Sequence, residues 1–421
     1  MSKLILAINA GSSSVKVTVY KGASSDDEPV ALANVEISGL TAPPAKLKYE
    51  RGDKKIKGEE LKGVDSQNDA FKQILEHLEK DDGLTEMSHR NDIQFVCHRV
   101  VHGGDYSKPQ RIDKDTYEHL EALSDLAPLH NAGALGIVKA VHNELPNCTN
   151  IAFFDSSFHS TIPAHTYTYA IDQERARKNG LRKYGFHGLS YAFITRSVAS
   201  HLRKDTKDLN IVALHLGSGA SACCIQSGTS IDTSMGLTPL AGLPGATRSG
   251  DVDPSLVFHF THNAGKPSHL STKEMHLTTA EEILNKQSGW QAITGTTDFG
   301  VISEKAGQGD EKCKLAFDIV VDKIVGYVAS YYVKLGGKVA ALVFAGGIGE
   351  KGVQLRTAIV GKLKCLGFEI DAKKNEAPGD EIITDISAMS TRHLVLVCQT
   401  DEQTEMARQC VRDQQNFQSR T

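Results

Sequence analysis

The 421-residue sequence has no apolar run near the roughly 18 residues that a membrane-spanning helix needs. It also has no excess of basic charge. The formal net charge of −4 favours neither nucleic acid nor acidic membrane surfaces as partners. The eight cysteines show neither metal-site nor disulfide-framework spacing, as is typical of a reducing compartment. We therefore expect a cytoplasmic protein without a nucleic-acid or membrane partner.

Two similar strand–turn–strand segments are present. Apolar residues 4–8 and the alternating residues 15–19 flank the glycine–serine turn NAGSSS. The segment NIVALHLGSGASACCIQSG, at residues 210–228, repeats the pattern. Glycines stand eleven positions apart in both, at 11 and 22 and at 217 and 228. This repetition predicts two similar domains with hairpins in matching places, although two unrelated hairpins could also produce it.

The rest of the chain alternates between helical and strand patterns. Helical spacing is found at Ala70, Phe71, Ile74, Leu75 and Leu78, and again at Ala316, Ile319, Val320, Ile324 and Val328. The runs IQFVCHRVV, NIAFFDSS, AALVFAGG and HLVLVCQT are typical of buried strands. Residues 41–64, rich in Lys, Glu, Gly and Pro, are predicted to be solvated loop and edge strand. Alternating strands and helices predict an α/β fold.

The two glycine–serine turns are candidate phosphate sites. Successive backbone amides in such a turn form a concavity that binds anions. Lys16 follows the first turn and could contact a phosphate as a point charge. The alternative is an exposed hairpin with an ordinary surface lysine.

Several charged or titratable residues lie at strand ends or among glycines. Arg99 and Asp155 each follow an apolar run, in HRVVHGG and FFDSSFH. His187 lies between glycines in RKYGFHG, and Arg248 lies in the loop GATRSGDVDP. Glu402 follows the last apolar run, in QTDEQTE, where a helix is predicted to begin and where a glutamate would also suit the helix dipole. Each of these residues could also be an ordinary surface residue, so the group as a whole is stronger evidence for a site than any one member.

The segment GIGEKG, residues 347–352, matches the dinucleotide-binding pattern G-x-G-x-x-G after a strand. Taken alone it would indicate an NAD-dependent oxidoreductase. However, only about seventy residues follow it, and a dinucleotide domain would leave both hairpins unexplained. A glycine turn before a helix also suits other nucleotides or phosphates. A third interpretation is a nucleotide-gated scaffold, which would need no pocket for an acyl acceptor.

Nine segments in this order resemble the acetokinase family of the actin-like, sugar-kinase and Hsp70 superfamily, and the resemblance covers essentially the whole chain. They are NAGSSSVK, HRVVHGG, LAPLHN, FDSSFHSTIP, KYGFHGLS, HLGSGAS, TPLAGLPGATRSGDVDP, AGGIGEKG and QTDE.

The resemblance implies an α/β fold of two ribonuclease-H-like, actin-like domains with a duplicated core and the active site in the cleft. Residues 1–155, completed by a C-terminal helix at 398–421, would form one domain. Residues 156–397 would form the other, with the adenosine pocket and a homodimer interface. The implied reaction is reversible, Mg²⁺- or Mn²⁺-dependent phosphoryl transfer from ATP to acetate, giving ADP and acetyl phosphate. Propionate or another short carboxylate stays possible, because one methylene is worth only about 1–3 kcal/mol.

The resemblance also implies the roles of individual residues. Catalytic roles would fall to Arg99, Asp155, His187 and Arg248. The acetate pocket would comprise Arg99, Val101, Leu129, His130, Phe186 and Pro239. The nucleotide and its phosphates would contact Ser12, Ser14, Lys16, His215, Gly217, Ser218, Gly219, Asp298, Gly347, Ile348 and Gly349. The metal would be held through Asn9 and Glu402. Acetate is already ionised and needs no general base, so Asp155 and Glu402 are interpreted as arginine-orienting or metal-positioning groups.

Some positions depart from the family pattern. Ser218 stands where the family has asparagine, Lys351 where it also has asparagine, and Gly300 replaces an arginine near the ribose. This chain has AGLPGATRSG where the family has EGLMMGTRSG, and Ala132 follows LHN where the family has proline. All but the last lie near the nucleotide or its phosphates. We therefore expect an unchanged reaction class with loosely held nucleotide, a pattern that resembles the fungal-type branch.

Overall fold

The computed structural model describes residues 3–11, 13–22, 28–123, 128–260, 263–271 and 277–417, with the backbone alone for 128–132. Its strands are β1 Lys3–Ala10, β2 Ser14–Gly22, β3 Val30–Ser38, β4 Ala45–Arg51, β5 Lys54–Leu61, β6 Ile93–Val100, β7 Gln110–Arg111, β8 Thr149–Phe154, β9 Ile211–Leu216, β10 Ala220–Gln226, β11 Thr229–Thr233, β12 Ala341–Ala345, β13 Ile383–Asp385 and β14 Leu394–Cys398. Its α-helices are α1 Gln67–Glu79, α2 Lys114–Leu123, α3 Pro128–Glu144, α4 Ala164–Tyr167, α5 Gln173–Lys178, α6 Gly188–His201, α7 Val257–Phe260, α8 Thr279–Lys286, α9 Gly289–Thr294, α10 Phe299–Gly307, α11 Glu311–Lys334, α12 Gly346–Lys351, α13 Val353–Lys362, α14 Ala372–Glu376 and α15 Glu402–Phe417.

The chain divides into two compact units. The first comprises Met1–Ser157 together with Asp401–Thr421, and the second comprises Phe158–Thr400. None of the helices in the described ranges has the length and apolar character needed to cross a bilayer.

The first unit is built on an eight-stranded sheet in the order β5-β4-β3-β2-β1-β6-β8-β7. Strands β1 to β5 form antiparallel neighbours, whereas β6 and β8 run parallel to β1. Helices α1 and α3 pack with the even-numbered apolar residues of β1, and α15 packs against β1, β2, β6 and β8. The residues predicted to line the buried side of α1 do so.

The second unit is built on a six-stranded sheet in the order β11-β10-β9-β12-β14-β13. Strands β9, β10 and β11 are antiparallel, and β12 and β14 continue parallel to β9. Helix α6 packs on one face with the odd-numbered apolar residues of β9, and α11 and α13 pack on the other. The long helix predicted before KLGG is α11, with Ala316, Val320, Ile324 and Val328 buried.

The two sheets share one arrangement. Three antiparallel strands end with the one that comes first along the chain, β1 or β9, and the next two strands of the sheet run parallel to it. The order is β3-β2-β1-β6-β8 in the first unit and β11-β10-β9-β12-β14 in the second. The predicted α/β class and duplicated hairpin core are therefore confirmed. Residues 41–64, predicted to be solvated loop and edge strand, contain β4 and β5, and β5 is the edge strand of the sheet. The Lys and Glu residues of β4 alternate with buried Ala45, Leu47 and Tyr49, so the charge of this inner strand lies on one face.

Candidate active site

The first unit gathers three predicted site residues at one edge of its sheet. Asn9, Arg99 and Asp155 lie at or just beyond the carboxyl ends of the parallel strands β1, β6 and β8. Carboxyl ends of parallel strands meet at one edge, where open α/β sheets bind ligands. Alternation along β1 and β6 also directs Asn9 and Arg99 to the face that α15 covers. Glu402 is the first residue of α15.

Arg99 is the centre of this group. Its Nη2 lies 2.7 Å from Asp155 Oδ2, and its Nε lies 3.2 Å from both carboxylate oxygens of Asp155. Its Nη1 lies 2.8 Å from Glu402 Oε2 and 3.4 Å from Asn9 Oδ1. Asn9 Nδ2 also donates to Glu402 Oε2, at 3.3 Å. The guanidinium is thus held from two sides, by two carboxylates and an amide.

This setting keeps Arg99 charged. The Arg99 side chain is 18% exposed, and those of Asp155 and Glu402 are 1% and 12% exposed. Burial acts to lower the pKa of Arg99, but the carboxylates of Asp155 and Glu402 outweigh it and raise that pKa above its ordinary range. Both acids therefore pair with the guanidinium and limit its orientation.

The start of α15 is fixed by neighbours of Glu402 that the sequence analysis did not single out. Asp401 Oδ1 accepts from the backbone amides of Gln403 and Thr404, at 3.0 and 2.9 Å, which caps the helix. Gln403 Nε2 donates to the carbonyl oxygen of Ala7 in β1, at 2.8 Å. The aspartate in QTDEQTE is a recognisable capping signal. The bond to Ala7 has no local signal, because it depends on where the helix lies across the sheet.

The first hairpin turn is closed by a hydrogen bond from the Gly11 amide to the Ser14 carbonyl oxygen, at 2.9 Å. Lys16 pairs with Asn9 across the hairpin, and its side chain is exposed. Val101 is half-buried just beyond β6. Ser12 lies outside the described residues, as do the side chains of Leu129 and His130.

The second unit brings His187, His215 and Arg248 to its own hairpin turn. His215 lies in β9 on the face that α6 covers, opposite Ser221 of β10. The rings of His187 and His215 stack with centroids 4.2 Å apart. His187 precedes α6 with φ 60°, in the left-handed region. A side chain on Gly219 would collide with the Arg248 guanidinium, so this glycine lets the arginine lie against the turn.

Hydroxyl groups hold both histidines. His187 Nδ1 lies 2.8 Å from Ser221 Oγ, and His215 Nδ1 lies 2.7 Å from Ser190 Oγ. Thr400 Oγ1 lies 2.9 Å from Ser190 Oγ. The serines were not predicted, although the pleat gives a signal for Ser221, which faces the same side as His215.

The turn itself is braced by the loop that carries Arg248. The Gly217 amide donates to the Gly219 carbonyl oxygen, at 3.0 Å, and the Ala246 amide donates to the Ser218 carbonyl oxygen, at 2.9 Å. Burial lowers the pKa of Arg248 from its usual value.

Phe186 and Pro239, predicted for the acetate pocket, are both buried. His159 holds Phe186, since its Nε2 lies 2.9 Å from the Phe186 carbonyl oxygen and its Nδ1 lies 2.8 Å from Ser230 Oγ. A carbonyl oxygen only accepts, so His159 donates from Nε2. Burial is the main cause that lowers the pKa of His159 to about 4, and the ring is neutral at pH 7.

The glycines of GIGEKG lie within and just after a short helix. Gly346 begins α12 with φ 74°, where a side chain would meet the backbone of Leu216. A Cβ on Gly347 would point into open space, whereas one on Gly349 would lie 3.6 Å from Leu216 Cβ. Of these two glycines, both predicted to contact the nucleotide, only Gly347 faces open space, and Ile348 between them is half-buried.

Asp298, also predicted to contact the nucleotide, caps α10. Its Oδ1 accepts from the backbone amides of Gly300 and Val301, at 2.8 and 3.2 Å. Asp298 and Gly300 are both exposed at this helix start.

Across the described ranges, no three His, Cys, Asp or Glu side chains converge as a metal-binding group. The first unit does supply three oxygen-bearing side chains around Arg99, those of Asn9, Asp155 and Glu402. Carboxylate and amide oxygens are hard donors that suit Mg²⁺, which commonly takes one or two protein carboxylates and completes its shell with phosphate and water.

The sequence matches the model of the acetokinase family over residues 4–408. A protein of Emericella nidulans named probable acetate kinase is 56% identical over 416 residues, 98% of each chain. The crystal structure of a propionate kinase from Francisella tularensis has a TM-score of 0.84 at 34% identity, covering 97% of this chain and 98% of that one. The crystal structure of acetate kinase from Porphyromonas gingivalis has a TM-score of 0.81 at 32% identity, covering 96% and 98%.

Proposed function

This chain belongs to the acetokinase family, and we propose that it transfers the γ-phosphoryl group of ATP reversibly to acetate. The observation that carries the proposal is Arg99, a guanidinium held by Asp155 and Glu402 at the carboxyl ends of parallel strands. An arginine kept charged and oriented in this way suits the charge that develops on a transferring phosphoryl group.

In the forward reaction a carboxylate oxygen of acetate attacks the γ-phosphorus. A bond forms between this acetate oxygen and the γ-phosphorus. The bond between the γ-phosphorus and the β,γ-bridging oxygen breaks, and ADP leaves with that electron pair. No proton moves, because acetate is already ionised. Catalysis therefore depends on positioning and on charge stabilisation.

We assign these tasks to residues that the family resemblance implies. Arg99 and Arg248 are assigned to the equatorial phosphoryl oxygens, and His187 to a hydrogen bond. Val101, Phe186 and Pro239 are assigned to the acetate methyl group.

The nucleotide and its phosphates are assigned to the remaining predicted positions. The proposed set is Ser12, Ser14, Lys16, His215, Gly217, Ser218, Gly219, Asp298, Gly347, Ile348 and Gly349. The exposed Gly347 leaves space beside α12, which supports an adenosine site there.

We also propose that Asn9, Asp155 and Glu402 hold Mg²⁺ through their side-chain oxygens. Bound Mg²⁺ would neutralise charge on the β- and γ-phosphates. The same carboxylates orient Arg99, so metal and arginine would share one set of acids.

The direct test is acyl-phosphate trapping. Purified protein is incubated with ATP, Mg²⁺, acetate and hydroxylamine, and acetohydroxamate is measured. Hydroxamate that depends on protein, acetate and ATP is expected, and its absence would contradict the proposal. Propionate in place of acetate tests the alternative acceptor, which the Francisella tularensis propionate kinase structure makes worth measuring. Pyrophosphate in place of ATP tests the donor.

We also propose that the protein is a homodimer and lies in the cytoplasm. Val252, Leu256 and Phe258 are 40%, 38% and 79% exposed, and these apolar side chains would favour self-association. All eight cysteines lie in the described ranges and carry free thiols, which suits a reducing compartment. Light scattering on the purified chain would measure the mass in solution.

A further inference from the structure

A chain of hydrogen bonds leads from a buried tyrosine to His187. Tyr191 Oη lies 2.6 Å from Ser221 Oγ, and Ser221 Oγ lies 2.8 Å from His187 Nδ1. Tyr191 and Ser221 are fully buried. The sequence analysis singled out neither residue, and the reaction described above uses neither directly.

Counting donors and acceptors gives this chain a direction. Within the described residues, Ser221 Oγ is the one side-chain acceptor next to the Tyr191 hydroxyl. Burial raises the pKa of Tyr191 well above its ordinary value, so the hydroxyl keeps its proton. A buried hydroxyl that donates to nothing is costly. Tyr191 therefore donates to Ser221, and the single Ser221 proton is directed to His187 Nδ1.

We infer that Ser221 is a positioning residue: its hydroxyl accepts from Tyr191 and donates to His187, which keeps His187 unprotonated at Nδ1 and protonated at Nε2. Nε2 is the atom that faces the hairpin turn, since a Cβ on Gly219 would lie 3.6 Å from it. The Arg248 guanidinium lies against the same glycine. The relay thus presents an N–H donor beside an arginine.

This inference deepens the proposed function and rests on it for its catalytic meaning. A neutral imidazole with its proton on Nε2 can donate to a phosphoryl oxygen. The neutral form also suits the stacked His215 ring, whose centroid is 4.2 Å away, because two charged imidazoles would repel there. A hydroxyl is suited to this task, because a carboxylate at the same place would draw the proton to Nδ1.

The test is the Ser221→Ala variant, studied by ¹⁵N NMR of histidine side chains and by steady-state kinetics. Tyr191→Phe is a second variant, which keeps the ring that stacks against Phe158 and removes only the oxygen. Tyr331→Phe is the matched control for loss of a buried tyrosine hydroxyl. Tyr331 is also fully buried in the second unit, and its hydroxyl has no hydrogen-bond partner among the described residues.

In the parent protein we expect His187 as the Nε2–H tautomer alone. In Ser221→Ala no hydroxyl donates to His187 Nδ1, so a mixture of tautomers should appear. The kcat should fall about threefold to tenfold, the scale of one neutral hydrogen bond, with KM for acetate unchanged. Tyr191→Phe should keep the Nε2–H tautomer, because His187 Nδ1 is then the acceptor left for the Ser221 proton. Tyr331→Phe should change neither measurement.

A double variant separates the relay from a packing effect. Ser221→Ala breaks the chain, so adding Tyr191→Phe should cause no further loss of kcat. A further loss, or a parent His187 protonated at Nδ1, would overturn the inference. So would an unaltered tautomer in Ser221→Ala. If the parent shows the single Nε2–H tautomer but forms no acetohydroxamate, the proposed function fails and the relay stands.

Discussion

Replacing Arg99 by alanine should damage stability and turnover through separate causes. The substitution removes the guanidinium that lies 2.7 Å from Asp155 and 2.8 Å from Glu402. Asp155 is only 1% exposed, so its carboxylate would keep its burial and lose its counter-charge. Removing one partner of a buried ion pair costs about 3–5 kcal/mol. The unfolding midpoint in urea should fall accordingly.

Turnover should fall about 10³-fold or more, the scale of an arginine that acts on a transferring phosphoryl group. Adding Asp155→Asn to Arg99→Ala removes the unpaired charge. The double variant should therefore regain stability and stay inactive. Arg99→Lys is the conservative control: it keeps a positive charge, but a single ammonium cannot reproduce the guanidinium contacts to two carboxylates and Asn9.

The assays are acetohydroxamate formation at saturating ATP and acetate, and urea unfolding followed by circular dichroism. Two results would refute the reasoning. One is an Arg99→Ala protein with an intact fold and more than a tenth of the parent turnover. The other is a double variant no more stable than Arg99→Ala, which would show that the unpaired Asp155 carboxylate is not the source of the instability.

Three further predictions concern the acceptor, the donor and pH. Val101→Ala should raise the ratio of kcat/KM for propionate to kcat/KM for acetate by the equivalent of one methylene group, about 1–3 kcal/mol. An unchanged ratio would place Val101 outside the pocket. Gly300→Arg should lower KM for ATP and leave KM for acetate unchanged, with Gly300→Ala as the control for helix propensity. A KM for ATP equal to that of the parent would place this position away from the ribose. Burial lowers the pKa of His159 from 6.5 to about 4, so the unfolded chain binds more protons between these values, and stability is lost as pH falls through that window. Between pH 7 and pH 4 this group should contribute a loss of about 3 kcal/mol in the free energy of unfolding, measured in urea. His159→Gln should reduce that loss, and His142→Gln, at an exposed position, should not.

The sequence predicted Arg99 and Asp155 as site candidates because each follows an apolar run typical of a buried strand. The structure adds that both strands are parallel and end at a common edge. The pairing of Arg99 with Glu402 needed tertiary information: it depends on where α15 crosses β1, which Gln403 sets through its bond to Ala7. Within residues 41–64 the sequence predicted loop and edge strand, but not the inner strand β4. The alternation of charged and buried residues in β4 was masked by the overall content of Lys and Glu.

The duplicated core places different chemistry at its matching edges, and the polar partners explain the difference. In the first unit carboxylates hold an arginine, because a buried guanidinium needs opposite charge to stay ionised and oriented. In the second unit hydroxyls hold His187 and His215, whose stacked rings would repel if both were charged. A hydroxyl can donate to an imidazole nitrogen, whereas a carboxylate can only accept and would draw a proton onto it. The partner type therefore decides whether the side chain that it holds is a fixed charge, as at Arg99, or the neutral donor that we propose at His187.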